Sequence, residues 1–206
     1  IPTSKPVDPI YFDKIFLGYN IALDDKIRHF YQKNLGNQQI LKDNDILCRA
    51  TIPNDWMHYL RKDITPQLQK MASKYTVLIP EQRVTQEQYY DELRRSRICV
   101  SPFGYGEICW RDFESVLCQC LLIKPDMSHI RTEPDIFVPY KTYVPVKWDF
   151  SDLQEKCFYY LEHEDEREQI IAHAYKVLSD YYHDEKFISK FEDLLNKLGD
   201  KLLYIR

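Results

Sequence analysis

The chain has 206 residues, enough for one domain or one large half of a two-domain protein. Its 44 % hydrophobic and 29 % charged residues are ordinary globular composition and exclude a disordered chain. With 28 Lys+Arg against 32 Asp+Glu the net charge is −4. This excludes a generic polyanion binder, because non-specific nucleic-acid affinity rests on a surplus of cations, yet it leaves room for one phosphate pocket.

The longest uncharged apolar stretch near the middle, 115–123, falls far short of the roughly 20 residues that span a bilayer. The opening Ile-Pro-Thr-Ser-Lys-Pro has neither an initiator Met nor a basic-then-apolar leader, so an excised or processed piece of a cytoplasmic protein is expected. Six cysteines (Cys48, Cys99, Cys109, Cys118, Cys120, Cys157) form no CxxC pair and no Cys/His cluster. Reduced, mostly buried thiols are the expectation, and no metal site.

Residues 1–13 carry three prolines and read as a linker or edge segment. Lys14–Gly18 is a short apolar run ending in a turn, a first strand. Asp24–Leu35 reads as a helix with Ile27, Phe30 and Tyr31 on one face and Gly36 as its stop. Asp45–Thr51 is a second strand; Trp56, Leu60, Ile64, Leu68 and Met71 then recur at helical spacing. Thr76–Pro80 is a third strand, and Thr85 with Gln88 forms a capping box that opens a helix over 86–96.

Arg97–Ser101 is a fourth strand, followed by a helix over Trp110–Cys120. Leu121–Lys124 and Tyr143–Val146 complete six strands. Ser151 with Gln154, and Asp165 with Glu168, predict two more capping boxes, and a last helix starts near Lys186. Short strands alternating with longer helices predict an α/β class, a doubly wound, Rossmann-like parallel sheet of about six strands with a helical C-terminal segment. The expected division is 1–13 linker, 14–182 sheet domain and 183–206 C-terminal helix. Ligands of such sheets bind outside the carboxyl ends of the strands, after Gly18, Arg49, Pro80 and Ser101.

One segment there carries chemistry: Ser101-Pro-Phe-Gly-Tyr-Gly-Glu-Ile-Cys-Trp-Arg-Asp-Phe-Glu114. Two of the five glycines lie in it, at 104 and 106. Glycine lets backbone approach a ligand closely, and a helix start offers free N–H groups to phosphate. Arg111 adds a charge-assisted contact, while Glu107 and Glu114 suit vicinal hydroxyls. The same residues also read as a tight turn whose acids complement the helix dipole.

SPFGYGEICWRDFESVLCQCLLIKPDM, followed by YVPVKWDFSDLQEK and EREQIIAHAYKVL, resembles the C-terminal, donor-binding half of GT-B glycosyltransferases of the "glycosyltransferases group 1" type. The resemblance covers about residues 75–180 in motif and 14–74 in element order alone. It implies a nucleotide-diphosphate sugar as donor, transfer to a hydroxyl acceptor, no divalent metal for donor binding, and an N-terminal acceptor domain on a longer chain. The ribose-gripping glutamate falls on Glu114. The family's second glutamate would fall on Gly106, and the acid is one residue late, at Glu107, assigned to the donor sugar. Tyr105, Gly106 and Ile108 belong to that loop, and Arg83 and Val84 to the loop that lines the nucleobase. Gly18 fits the glycine of the first turn; Arg49 stands in by position as a phosphate ligand, with Lys124 and Arg131 as secondary candidates.

Asp43-Asn-Asp45 matches the metal-binding tripeptide of the other large glycosyltransferase fold, but it precedes a strand instead of following one, and a solvated turn is the competing reading. His129 lies in the long loop near the ligand edge and reads as a surface residue or a helper at the donor. No GxGxxG follows Gly18 and no nucleophile motif appears, which disfavours an epimerase or phosphatase-like enzyme. The rival from another class is a non-catalytic interaction or nucleotide-binding module that kept the fold.

Overall fold

The computed structural model describes residues 8–10, 24–34, 40–50, 58–79 and 83–202. The predicted first strand at 14–18, with Gly18, lies outside them. Five strands form one sheet: β1 (Asn44–Leu47), β2 (Val77–Leu78), β3 (Ser96–Val100), β4 (Leu121–Pro125) and β5 (Val144–Val146). Every pairing is parallel and the spatial order is β2-β1-β3-β4-β5.

Successive strand residues point to opposite faces, and here both faces are apolar. Leu47, Cys99 and Leu122 enter one core with Ile27 and Phe30 of α1 (Asp25–Asn34), Phe113 and Leu117 of α5 (Trp110–Leu117), and Ala174 and Leu178 of α7 (Glu164–His183). Ile46, Ile98, Leu121 and Ile123 enter the other, with Leu68 and Met71 of α3 (Ile64–Met71) and Leu153 and Cys157 of α6 (Leu153–Glu162). A strand buried on both sides gains no polar alternation, which is why these segments read as continuous hydrophobic runs. The doubly wound, Rossmann-like α/β class is therefore observed, with five strands among the described residues.

The single helix predicted through residue 72 is two: α2 (His58–Arg61) and α3. Pro66, in the first turn of α3, has no N–H to give to Lys62 and its ring crowds that carbonyl, so the helix must restart. The Thr85 capping box forms as predicted and opens α4 (Gln86–Arg94). The boxes at Ser151 and Asp165 do not form. Asp152 is the N-cap of α6 and its carboxylate accepts from the Lys147 N–H, while Ser151 N–H donates to Asp149. For α7 the N-cap is His163, which puts Asp165 inside the first turn, where its charge still complements the helix dipole.

After α5, Gln119 turns the chain with φ 53°, a left-handed conformation normally left to glycine. The last helix, α8 (Lys186–Leu202), begins where predicted. No helix among the described residues is long and apolar enough to cross a membrane. Five of the six cysteines are buried and Cys109 is partly exposed. Burial pushes the pKa of Cys48 and Cys99 upward and keeps them as inert packing groups.

Candidate functional site

The chain leaves β1 toward β2 on one side and reaches β3 on the other, so the crossovers diverge between β1 and β3. The carboxyl ends of two such strands are parted by loops that run opposite ways, which leaves a crevice. A cavity of about 560 Å³ opens there, lined by Arg49, Arg61, Arg83, Val84, Thr85, Gln86, Tyr89, Cys109, Trp110, Arg111 and Glu114. Four guanidinium groups and one carboxylate thus face one space in a chain whose net charge is −4.

Each arginine reaches the cavity from a different element. Arg49 follows β1 and forms a fork-to-fork pair with Glu92 of α4, both contacts at 2.7 Å. Arg61 ends α2; it is 8 % exposed, and its Nε donates to the Phe103 carbonyl at 2.7 Å. Arg83 stands exposed before α4. Arg111, in the first turn of α5, donates to Ser101 Oγ and to the Pro102 carbonyl, each at 3.0 Å, and to the Arg49 carbonyl at 3.4 Å. Arg111 therefore ties the ends of β1 and β3 together. Gly104 keeps this packing possible, because a Cβ there would sit 3.2 Å from Cys109 Sγ and 3.5 Å from Arg61 Nη2.

Glu114 is 8 % exposed and lies one turn into α5. Its two oxygens accept the hydroxyls of Tyr89 and Tyr90, each at 2.9 Å. Burial raises its pKa above the ordinary carboxylate value, against the opposing pull of the two hydroxyls and Arg111. Tyr89 is pushed well up by burial first and by the Glu114 charge second, so both phenols stay donors. A carboxylate has about four acceptor sites, so two remain for a ligand's hydroxyls. Phe30 stacks on Tyr90 at 4.2 Å and Gln86 Nε2 donates to its hydroxyl, which fixes the pair.

Of the residues singled out in the sequence, Arg49, Arg83, Val84, Arg111 and Glu114 share this cavity. Lys124 does not. It is fully buried and paired with the equally buried Asp112 at 3.1 Å, because an ammonium at the end of a central strand must be neutralised inside the fold. Asp112 also accepts from Ser101 Oγ, and from the Cys109 N–H at 2.8 Å, which caps α5. Glu107 lies outside the cavity lining: its carboxylate meets His129 Nε2 at 2.7 Å on the exposed rim, with Tyr105 82 % exposed beside it. Ile108 packs against the core instead of lining the cavity, and Gly106 lies in the turn between them. Arg131 is exposed on the loop after β4.

Asp43 and Asp45 lie at the start of β1, the edge of the sheet opposite the cavity. Asp43 pairs with Arg95, and Asp45 with Arg97 and the Thr76 N–H. Both carboxylates are thus committed to bracing strands, which replaces the solvated turn by ion pairs. Among the described residues no three His, Cys, Asp or Glu side chains converge where a metal ion could sit.

Arg61, Tyr89 and Tyr90 went unrecognised in the sequence. Arg61 falls on a helix whose pattern reads as core, and its approach to Phe103 is a contact across 42 residues. The Tyr-Tyr pair carries a weak signal, two phenols in the first turns of a capped helix, which gains meaning only beside Glu114.

None of the curated protein sequences compared matches the chain. Among solved structures it is similar to TarM, with 12 % identity and a TM-score of 0.52 over 77 % of this chain and 36 % of TarM. It is also similar to the C-terminal domain of LpcC, a glycosyl transferase group 1 family protein from Francisella tularensis, with 10 % identity and a TM-score of 0.46 over 77 % of this chain and 93 % of that domain. The chain thus spans about a third of TarM's length, and that likeness is one of fold. The sequence itself matches the family described as glycosyl transferase-like over residues 58–192, a span that holds α2 to α7, four of the five strands and every arginine of the cavity except Arg49. A match over well over half of the chain places it in a family: it belongs to the glycosyl transferase-like proteins.

Proposed function

We propose that the cavity binds the nucleoside-diphosphate part of a sugar donor, and that the chain is the donor-binding part of an enzyme that transfers the sugar to a hydroxyl acceptor. The observation that carries this reading is the convergence of Arg49, Arg61, Arg83 and Arg111 with Glu114 at the β1/β3 crevice. In the transfer, the bond from the anomeric carbon to the diphosphate oxygen breaks, a bond to the acceptor oxygen forms, and the acceptor proton leaves. The diphosphate gains negative charge as it departs, and preorganised cations lower that barrier. Arg61 and Arg111 are held in place by backbone carbonyls, so no reorganisation is needed when charge develops.

Glu114 accepts the vicinal ribose hydroxyls on its two open sites, and Arg83 with Val84 flanks the base. The acceptor and any general base belong to a further domain of a longer chain, in keeping with the 36 % of TarM that this chain covers. A second reading, a module that keeps the fold without catalysis, draws support from the internal partners already held by Arg49 and Glu114.

Calorimetric titration with UDP, GDP, dTDP and ADP decides between them. One nucleotide is expected to bind saturably, and Glu114→Ala to weaken it about tenfold or more, the worth of hydrogen bonds to a charged group. A folded protein that binds none of the four would favour the second reading.

A further inference from the structure

The loop after β3 and the loop after β4 meet outside the cavity at one hydrogen bond, from His129 to Glu107. We propose that His129 is a positioning residue that holds the Glu107 carboxylate toward the sugar end of the donor; this rests on the donor reading above. An ionised carboxylate can only accept, so the 2.7 Å contact fixes the proton on His129 Nε2 and fixes the direction of the Glu107 side chain.

His129 is itself held. Its ring meets the Trp148 ring edge-on at 5.3 Å, and Trp148 Nε1 donates to the Asp126 carbonyl at 3.2 Å. The Asp126 carboxylate takes the Ser128 N–H and hydroxyl at 3.1 and 2.7 Å, which sets the turn that delivers His129. Behind Trp148, Phe103 packs edge-on at 5.1 Å and carries the buried Lys124 over its face at 5.1 Å. The Phe103 carbonyl is the group that holds Arg61 in the cavity. One run of contacts therefore joins the arginine wall to the rim carboxylate. Glu107 and His129 remain 40 % and 38 % exposed and Trp148 52 % exposed, so this rim faces solvent. A carboxylate and an apolar ring side by side suit a pyranose, which presents hydroxyls at its edge and C–H groups on its face.

The test compares each diphosphate (UDP, GDP, dTDP, ADP) with its glucose conjugate by titration of the whole chain. The sugar's own contribution is the ratio of the two affinities. His129→Ala is expected to remove that contribution, about tenfold, with diphosphate affinity and melting temperature unchanged. His129→Gln, whose amide N–H can still donate, is expected to restore most of it. Glu107→Ala should match His129→Ala, and the double variant should lose nothing more.

A His129→Ala protein that keeps the full ratio, or that loses diphosphate and conjugate affinity together, overturns the proposal and leaves the donor cavity standing. A wild-type ratio of one does the same. If no diphosphate binds, the donor reading fails and the positioning role falls with it.

Discussion

Glu114 shows how one side chain can be read from sequence and still hold a surprise. Its place on the helix after β3 marks it, but the two tyrosine hydroxyls at 2.9 Å come from α4, 24 and 25 residues away. The pattern of residues around position 114 does not reveal that contact. The raised pKa of Glu114 has a consequence for stability. The folded chain holds that proton more tightly than the unfolded chain, so the contribution is complete below the ordinary value of 4.5 and is lost as pH rises through the raised folded value. Relative to Glu114→Gln, the wild type should lose stability as pH climbs from about 4.5 toward neutrality. Denaturant midpoints across that range check it; parallel curves for the two proteins would remove Glu114 from the account.

At the scale of elements, the decisive object is the knot between β3, α5 and β4. Lys124 and Asp112 are both fully buried, and Asp112 also receives Ser101 Oγ and the Cys109 N–H. An ion pair of this kind stabilises little against an apolar replacement of the whole, but removing one partner strands a charge. Lys124→Met should therefore cost about 3–5 kcal/mol in a urea titration, and Lys124→Met with Asp112→Asn should recover part of it. A cost below about 1 kcal/mol would show that water reaches Asp112. The sequence placed Lys124 correctly at the carboxyl end of a strand and misread its purpose. Strand position fixes which edge a residue occupies; only the packing of α5 against that edge decides whether its charge faces a ligand or a buried partner.

For the whole molecule, the contrast is between a net charge of −4 and a cavity lined by four arginines. The far field repels a nucleotide while the near field attracts it, and salt screens both over about 8 Å at physiological strength. Close contacts dominate binding, so raising NaCl should weaken the affinity for a bound diphosphate several-fold while leaving the binding stoichiometry unchanged; titrations at two salt concentrations test this. Affinity that does not respond to salt would place the nucleotide away from the arginines.

Sequence alone determined the class of the fold. Both-face burial leaves continuous apolar strands, helical periodicity marks the crossovers, and a parallel sheet follows from their alternation. It also located the edge at which Arg83, Arg111 and Glu114 stand, because strand ends and helix starts are local events. The strand order β2-β1-β3-β4-β5, the arrival of Arg61, the tyrosine clasp on Glu114 and the partner of Glu107 were decided by tertiary structure. Each joins residues 21 or more positions apart, and such contacts depend on how whole helices and loops settle on the sheet, a matter of packing that no local pattern encodes.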